Sequence, residues 1–171
     1  MHKQNATMVT GGMQNRLLLR TGSRARGLAM VCAMLFMAVG VAHASVRWAT
    51  LEAIHQLENP HDSTRPGPFG ELGAYQFRAS TWRMHTTTPF QKALDRQTSD
   101  QIAVRHYEWL KRGLEEAHVP ATPYNIALAW NGGLTGVIAG SAPRVAHDYA
   151  SRVANIAAEL NGNSGRFAFG Q

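Results

Sequence analysis

The chain has 171 residues, with 17 Lys and Arg against 11 Asp and Glu and a formal net charge of +6, a length at which one domain is the ordinary outcome. Residues 1–44 carry Lys3, Arg16, Arg20, Arg24 and Arg26 and no acid, so they hold +5 of that charge and leave +1 for the rest. A basic leader ahead of a nearly neutral module excludes a folded basic face for nucleic acid as the meaning of the high isoelectric point.

The first segment reads as an export signal. Gly27 to Val41 is an uncharged apolar stretch of 15 residues that follows the run Arg20 to Arg26 and precedes Ala42-His43-Ala44-Ser45. Basic flank, short apolar region and A-x-A exit describe a secretory signal peptide over residues 1–44, with cleavage after Ala44 and a periplasmic or secreted product. The rival is an uncut signal anchor, but the stretch is short of the ~20 residues a bilayer span needs. Met8 and Met13 stand as alternative starts. Cys32, the only cysteine, lies inside the leader, so the cleaved chain has no thiol for disulfides, nucleophilic catalysis or thiolate metal sites.

Beyond the leader the spacing is helical throughout. RWATLEAIHQLE places Leu51, Ile54 and Glu58 on one helical face, and Pro60 forbids much continuation. Asn59 to Tyr75, with Pro60, Pro66, Pro68, Gly67, Gly70 and Gly73, reads as one long ordered loop. A short helix is expected over Ala79 to Met84. Thr98 with Gln101 suggests a capping box for a longer helix whose inward stripe is Ile102, His106, Trp109, Leu110, Gly113 and Leu114. Glu108 with Arg112 and Lys111 with Glu115 have the spacing of outward i,i+4 pairs. Thr122-Pro123 makes an N-cap and first-turn pair for the apolar helix that ends at Asn131-Gly132-Gly133. Ser141 and Pro143 open the last helix, with Tyr149, Val153, Ile156 and Leu160 as its stripe. The tail, residues 163–171, loses periodicity and reads as flexible. The fold class is therefore all-α: a small helical domain over residues 45–162.

Glu58 is the residue with chemical content. Seven steps of 100° bring it back to within about 20° of Leu51, so its carboxylate leaves the last turn on the apolar face. Burial there disfavours the charged form and raises the pKa, which suits a general acid near neutral pH. On geometry alone a second possibility stays open, that the helix ends at Leu57 and Glu58 points to solvent beside Pro60.

A family resemblance joins these residues. Glu58, Gly70, Gly73 and Gln76 stand at the offsets of the catalytic glutamate, two glycines and glutamine of the lysozyme-like lytic transglycosylases, the superfamily shared with goose-type lysozymes. Ala129-Trp130-Asn131-Gly132-Gly133 is similar to that family's alanine-tyrosine-asparagine box, and Tyr149-Ala150-Ser151-Arg152-Val153 to its tyrosine-alanine-x-arginine-valine run. The boxes occur in the right order across almost the whole cleaved chain. Asn59 replaces the serine that usually follows the glutamate, Ala74 and Tyr75 replace a leucine and a methionine, and Trp130 replaces a tyrosine whose hydroxyl the family keeps near the acid.

The resemblance implies a peptidoglycan-cleaving enzyme acting on the β-1,4 bond between N-acetylmuramic acid and N-acetylglucosamine, with a 1,6-anhydro product. It makes Glu58 the catalytic acid and then base, and puts Gln76, Tyr75, Trp130, Asn131 and Tyr149 at the substrate. An inverting hydrolase would need a second carboxylate to activate water, for which Glu71 is the candidate and Asp62 a weaker one. Two other outcomes stay open: a hydrolytic lysozyme-like muramidase, or a catalytically weak peptidoglycan-binding or assembly protein that keeps the cleft. For Asn131 a helix-terminal role beside Gly132-Gly133 is an equal alternative. Trp82 and Trp109 read as packing and His106 as a hydrogen-bonded core histidine. His55, His61, His85, His118 and His147 show no metal-ligand spacing. No metal and no cofactor is expected. The expected partner is the glycan strand, with no nucleic acid, no membrane after cleavage, and a monomeric chain.

Overall fold

The computed structural model describes the backbone of residues 46–168 and side chains through residue 162. The leader, its cleavage site and the last residues of the tail lie outside the described residues. Helix α1 covers residues 46–58 and buries Ala49, Thr50, Ala53 and Ile54 completely. It stops because Pro60 has no N–H to give to another turn, and the last backbone bond runs from Asn59 N–H to His55 O at 2.9 Å. The helix does reach Glu58.

After the loop come α2 (Ala79–His85), a 3-10 turn (Phe90–Leu94), α3 (Arg96–Glu116), α4 (Pro123–Gly132), α5 (Leu134–Ile138) and α6 (Arg144–Ala168). Among the described residues there is no strand beyond the isolated bridge between Leu72 and Phe77, so the chain is mainly α-helical. Trp82, Ile54, Leu110, Leu114, Ile126 and Val153 are the large side chains sealed in the core. The most extensive helix pairing is α4 on α6. It is close because α6 presents Ala146, Ala150, Val153 and Ala157, all fully buried, and small residues let two helix backbones approach within interdigitating distance.

Several local expectations need correction. Helix α3 is capped three residues before Thr98: Asp95 is the N-cap, accepting from Thr98 N–H at 2.9 Å, because aspartate caps as well as threonine and comes first in the chain. Glu108 does not pair with Arg112. It accepts from Arg47 Nη1 at 2.7 Å, tying α1 to α3, while Lys111 and Glu115 do form their i,i+4 pair at 3.6 Å. The backbone continues as helix through Ala168, where a flexible tail was expected from residue 163. Helix α5 was not expected at all. Thr122 caps α4 as expected, accepting from Asn125 N–H at 3.2 Å. No helix among the described residues is long and apolar enough to cross a membrane.

Candidate functional site

The long loop and the ends of α1 and α4 enclose a cleft of about 720 Å³, a size that takes a small ligand or a few sugar rings. Its lining includes Glu58, Glu71, Gln76, Trp130 and Asn131, residues drawn from three separate stretches of sequence. Their convergence has a local cause at the loop. Gly73 has φ +79°, and a Cβ there would sit 1.8 Å from Ala93 O, so only glycine permits the chain to press against the 3-10 turn at that point. The backbone then reverses: Leu72 and Phe77 exchange N–H to O bonds at 3.0 Å each, and Gln76 is held at φ +43°, a left-handed conformation unusual outside glycine and common at functional turns.

Asn59 explains itself in this setting. It is 6 % exposed, donates through Nδ2 to Ser63 O at 2.9 Å and to Gly73 O at 3.2 Å, and accepts from Ser63 N–H at 2.8 Å. The amide therefore closes the loop onto the end of α1. A serine hydroxyl has one donor and is shorter, and cannot span all of these. Gln76 Nε2 donates to the same Gly73 O at 3.0 Å.

Glu58 is half-buried at the cleft. Burial pushes its pKa upward; the Tyr149 hydroxyl works against that and the charge of Glu71 adds to it, leaving a net rise. The Tyr149 hydroxyl is itself buried, raised in pKa by burial and by the Glu58 carboxyl beside it. It meets no partner within strict hydrogen-bond geometry among the described residues, yet lies near enough to Glu58 for each group to shift the other's pKa. Tyr149 is not part of the cleft lining.

Glu71 goes the other way. Burial acts upward, but the N–H groups of Phe69 and of Glu71 itself together with Arg78 outweigh it, and the pKa is lowered. Phe69 N–H donates to Oε2 at 2.9 Å and Arg78 Nε to Oε1 at 3.2 Å. One cleft thus holds two carboxyls displaced in opposite directions, the pattern by which an acid and a base are told apart.

The other expected residues are placed as follows. Trp130 is partly exposed in the cleft wall, its ring 5.5 Å from that of Phe77 and 4.7 Å from that of His106. Asn131 is exposed at the end of α4 and lines the cleft, while the helix is stopped by Gly133 at φ +83°. Tyr75 corrects the expectation of substrate contact: it is 3 % exposed in the core and its hydroxyl donates to Asp100 Oδ1 at 2.8 Å, away from the cleft. The reversal at Gly73 sends alternate side chains to opposite sides, so Tyr75 goes inward where Gln76 goes to the cleft. Asp62 also lies outside it, 3.0 Å from His55 Nε2 and 3.6 Å from Arg96 Nη1. Trp82 is fully buried, as expected of packing, and donates through Nε1 to Thr88 O at 2.8 Å.

The lining residues that the sequence reading did not assign to the site include Phe69, Arg78 and His106. The Arg78 guanidinium lies 5.0 Å from the centroid of the exposed Phe69 ring. His106 is buried and hydrogen-bonded, as its place on the α3 stripe predicts, yet also reaches the cleft. No group of three or more His, Cys, Asp or Glu suited to a metal occurs among the described residues. Compared with known protein families, with curated proteins and with solved structures, the chain finds no match.

Proposed function

We propose that the protein is an exported peptidoglycan-cleaving enzyme of the lytic transglycosylase type, with Glu58 as its acid and then base. The observation that carries this reading is the half-buried Glu58, its pKa raised by burial, in a cleft shared with Gln76, Trp130 and Asn131, three of the residues singled out by the family resemblance.

The chemistry follows from that carboxyl. Protonated Glu58 gives its proton to the glycosidic oxygen as the bond to the anomeric carbon breaks. The carboxylate left behind takes the proton from the C6 hydroxyl of the same sugar, whose oxygen bonds to the anomeric carbon and closes a 1,6-anhydro ring. Atoms balance with no water consumed, and one carboxyl returns to its starting state. Gln76 and Asn131 offer donors and acceptors that match acetamido and hydroxyl groups, and Trp130 offers an aromatic face to a sugar ring.

A second reading, hydrolysis with Glu71 activating water, is favoured by the opposite displacement of the two carboxyls. Against it, both Glu71 oxygens already accept from the Phe69–Arg78 rim, which suits a brace for that turn. Purified protein incubated with peptidoglycan sacculi tests the proposal: soluble muropeptides appear with wild type and vanish with Glu58→Gln. Release that persists in Glu58→Gln contradicts it, and binding to sacculi without release by wild type identifies a glycan-binding protein instead.

A further inference from the structure

His106 has no part in the proton transfers above, yet it is built into the same cleft. It is 7 % exposed, and Nδ1 lies 2.9 Å from His85 Nε2. Its ring is stacked on Trp109 at an interplanar angle of 12° and meets Trp130 edge-on, centroids 4.7 Å apart. Turning the imidazole would break the histidine contact and the stacking together, so its orientation is fixed by three neighbours at once. The second ring nitrogen, Nε2, has no hydrogen-bond partner among the described residues, and the residue lines the cleft. It is therefore the polar atom this ring can offer to a ligand in the cleft.

The pairing also fixes what kind of group it is. Burial and the neighbouring His85 keep His106 neutral, with its pKa lowered to about 3. Burial, then Arg105 and Arg112, lower that of His85 as well. Two neutral imidazoles share one N–H across their contact. When His85 donates, His106 carries its own proton on Nε2 and is a donor to the cleft. When His106 donates through Nδ1, Nε2 presents a lone pair. An uncharged group that can take either sense, set among aromatic rings, matches the hydroxyl and acetamido groups of an amino sugar better than it matches an ionic ligand.

We propose that His106 contacts the substrate, reading a hydroxyl or acetamido group of an N-acetylamino sugar through Nε2, and that His85 is a positioning residue that sets the tautomer of His106. The proposal rests on the cleft being a glycan site. The probes are tri-N-acetylglucosamine for binding and sacculi for turnover. Addition of the trisaccharide to wild type should move the His106 Nε2 resonance in a ¹⁵N-histidine spectrum. His106→Leu should weaken binding and raise KM about tenfold, the worth of one hydrogen bond left unmade in a site built for it, while kcat changes far less. His85→Phe should have a smaller effect of the same kind, and His85→Gln, which can still donate to or accept from Nδ1, should restore wild-type binding.

An unmoved Nε2 resonance under saturating trisaccharide overturns the proposal, and does so even if His106→Leu fails to fold. Sacculus cleavage that depends on Glu58 together with unchanged KM in a folded His106→Leu overturns this inference alone. A wild type that neither binds the trisaccharide nor cleaves sacculi removes the glycan reading and this inference with it.

Discussion

Asn59 and Gln76, at opposite ends of the long loop, donate to the same carbonyl oxygen, Gly73 O, at 3.2 and 3.0 Å. Gln76 N–H adds a third bond to it at 3.1 Å. The residue next to the acid and the glutamine across the cleft are thereby held to one atom, so the loop's shape and the position of Glu58 are set together. Asn59→Ala leaves Gly73 O short of one donor and Ser63 N–H without its acceptor, and should cost about 2 kcal/mol. Urea denaturation measures this, and muropeptide release should fall more than stability does. Asn59→Ser should recover only part of either.

Gly73 and Gly70 share φ +79° but not surroundings. A Cβ at Gly73 meets Ala93 O at 1.8 Å, whereas a Cβ at Gly70 meets nothing within 4 Å. Gly70→Ala should therefore cost only the left-handed backbone penalty, roughly 1–2 kcal/mol. Gly73→Ala should cost more than about 3 kcal/mol or prevent folding, because backbone has to move. Thermal melts of the two variants compare them directly.

The acid's raised pKa has opposite consequences for stability and for activity. A carboxyl whose folded pKa lies above its unfolded value binds protons more tightly when folded, so its contribution is greatest at low pH and is lost as pH rises through the folded value. Glu58→Gln removes that loss: the variant should melt higher than wild type at neutral pH, and the difference should disappear below about pH 4.5, the ordinary glutamate value. Its turnover should drop by at least about 10²-fold. In wild type, turnover should decline on the alkaline side as Glu58 loses the proton it must donate.

The histidine pair predicts acid sensitivity of the opposite sign. Its pKa values are lowered, so between the ordinary value of 6.5 and about 3 the unfolded His106 takes up a proton that the folded one refuses. Stability must then fall with pH, by up to about 1.4 kcal/mol per unit for His106, with His85 acting in the same direction. Glu58 opposes this trend, and Glu71 and Asp95, whose pKa values are lowered, add to it at lower pH. The clean comparison is between pH 6.5 and 4.5 in the Glu58→Gln background. Stability from urea denaturation should drop there, and the drop should be largely gone in a protein that also carries His85→Gln and His106→Gln.

Much of this architecture is written in local pattern. The periodicity of Leu51, Ile54 and Glu58 placed the acid on the buried side of α1, and Thr122-Pro123 marked the start of α4, because caps and stripes depend on neighbours a few residues away. What the sequence did not show depends on contacts between distant segments. Glu108 pairs with Arg47 on another helix, which no i,i+4 rule can find. Tyr75 and Gln76 are adjacent in sequence, and only the reversal at Gly73 sends one into the core and the other to the cleft. His106 showed its helical face but not that the residue also lines the cleft. Asn59 looked like the loss of a hydroxyl, and the loop it closes could be seen only once folded.

In the proposed reaction Glu58 first protonates the leaving oxygen and then takes the proton of the sugar's own C6 hydroxyl, with no water entering. Digestion of sacculi in ¹⁸O-labelled water, followed by mass spectrometry of the fragments, tests it most directly. Fragments should end in 1,6-anhydro-N-acetylmuramic acid with no ¹⁸O at the new end, all dependent on Glu58. Reducing ends carrying one ¹⁸O would contradict it and assign the cleavage to hydrolysis.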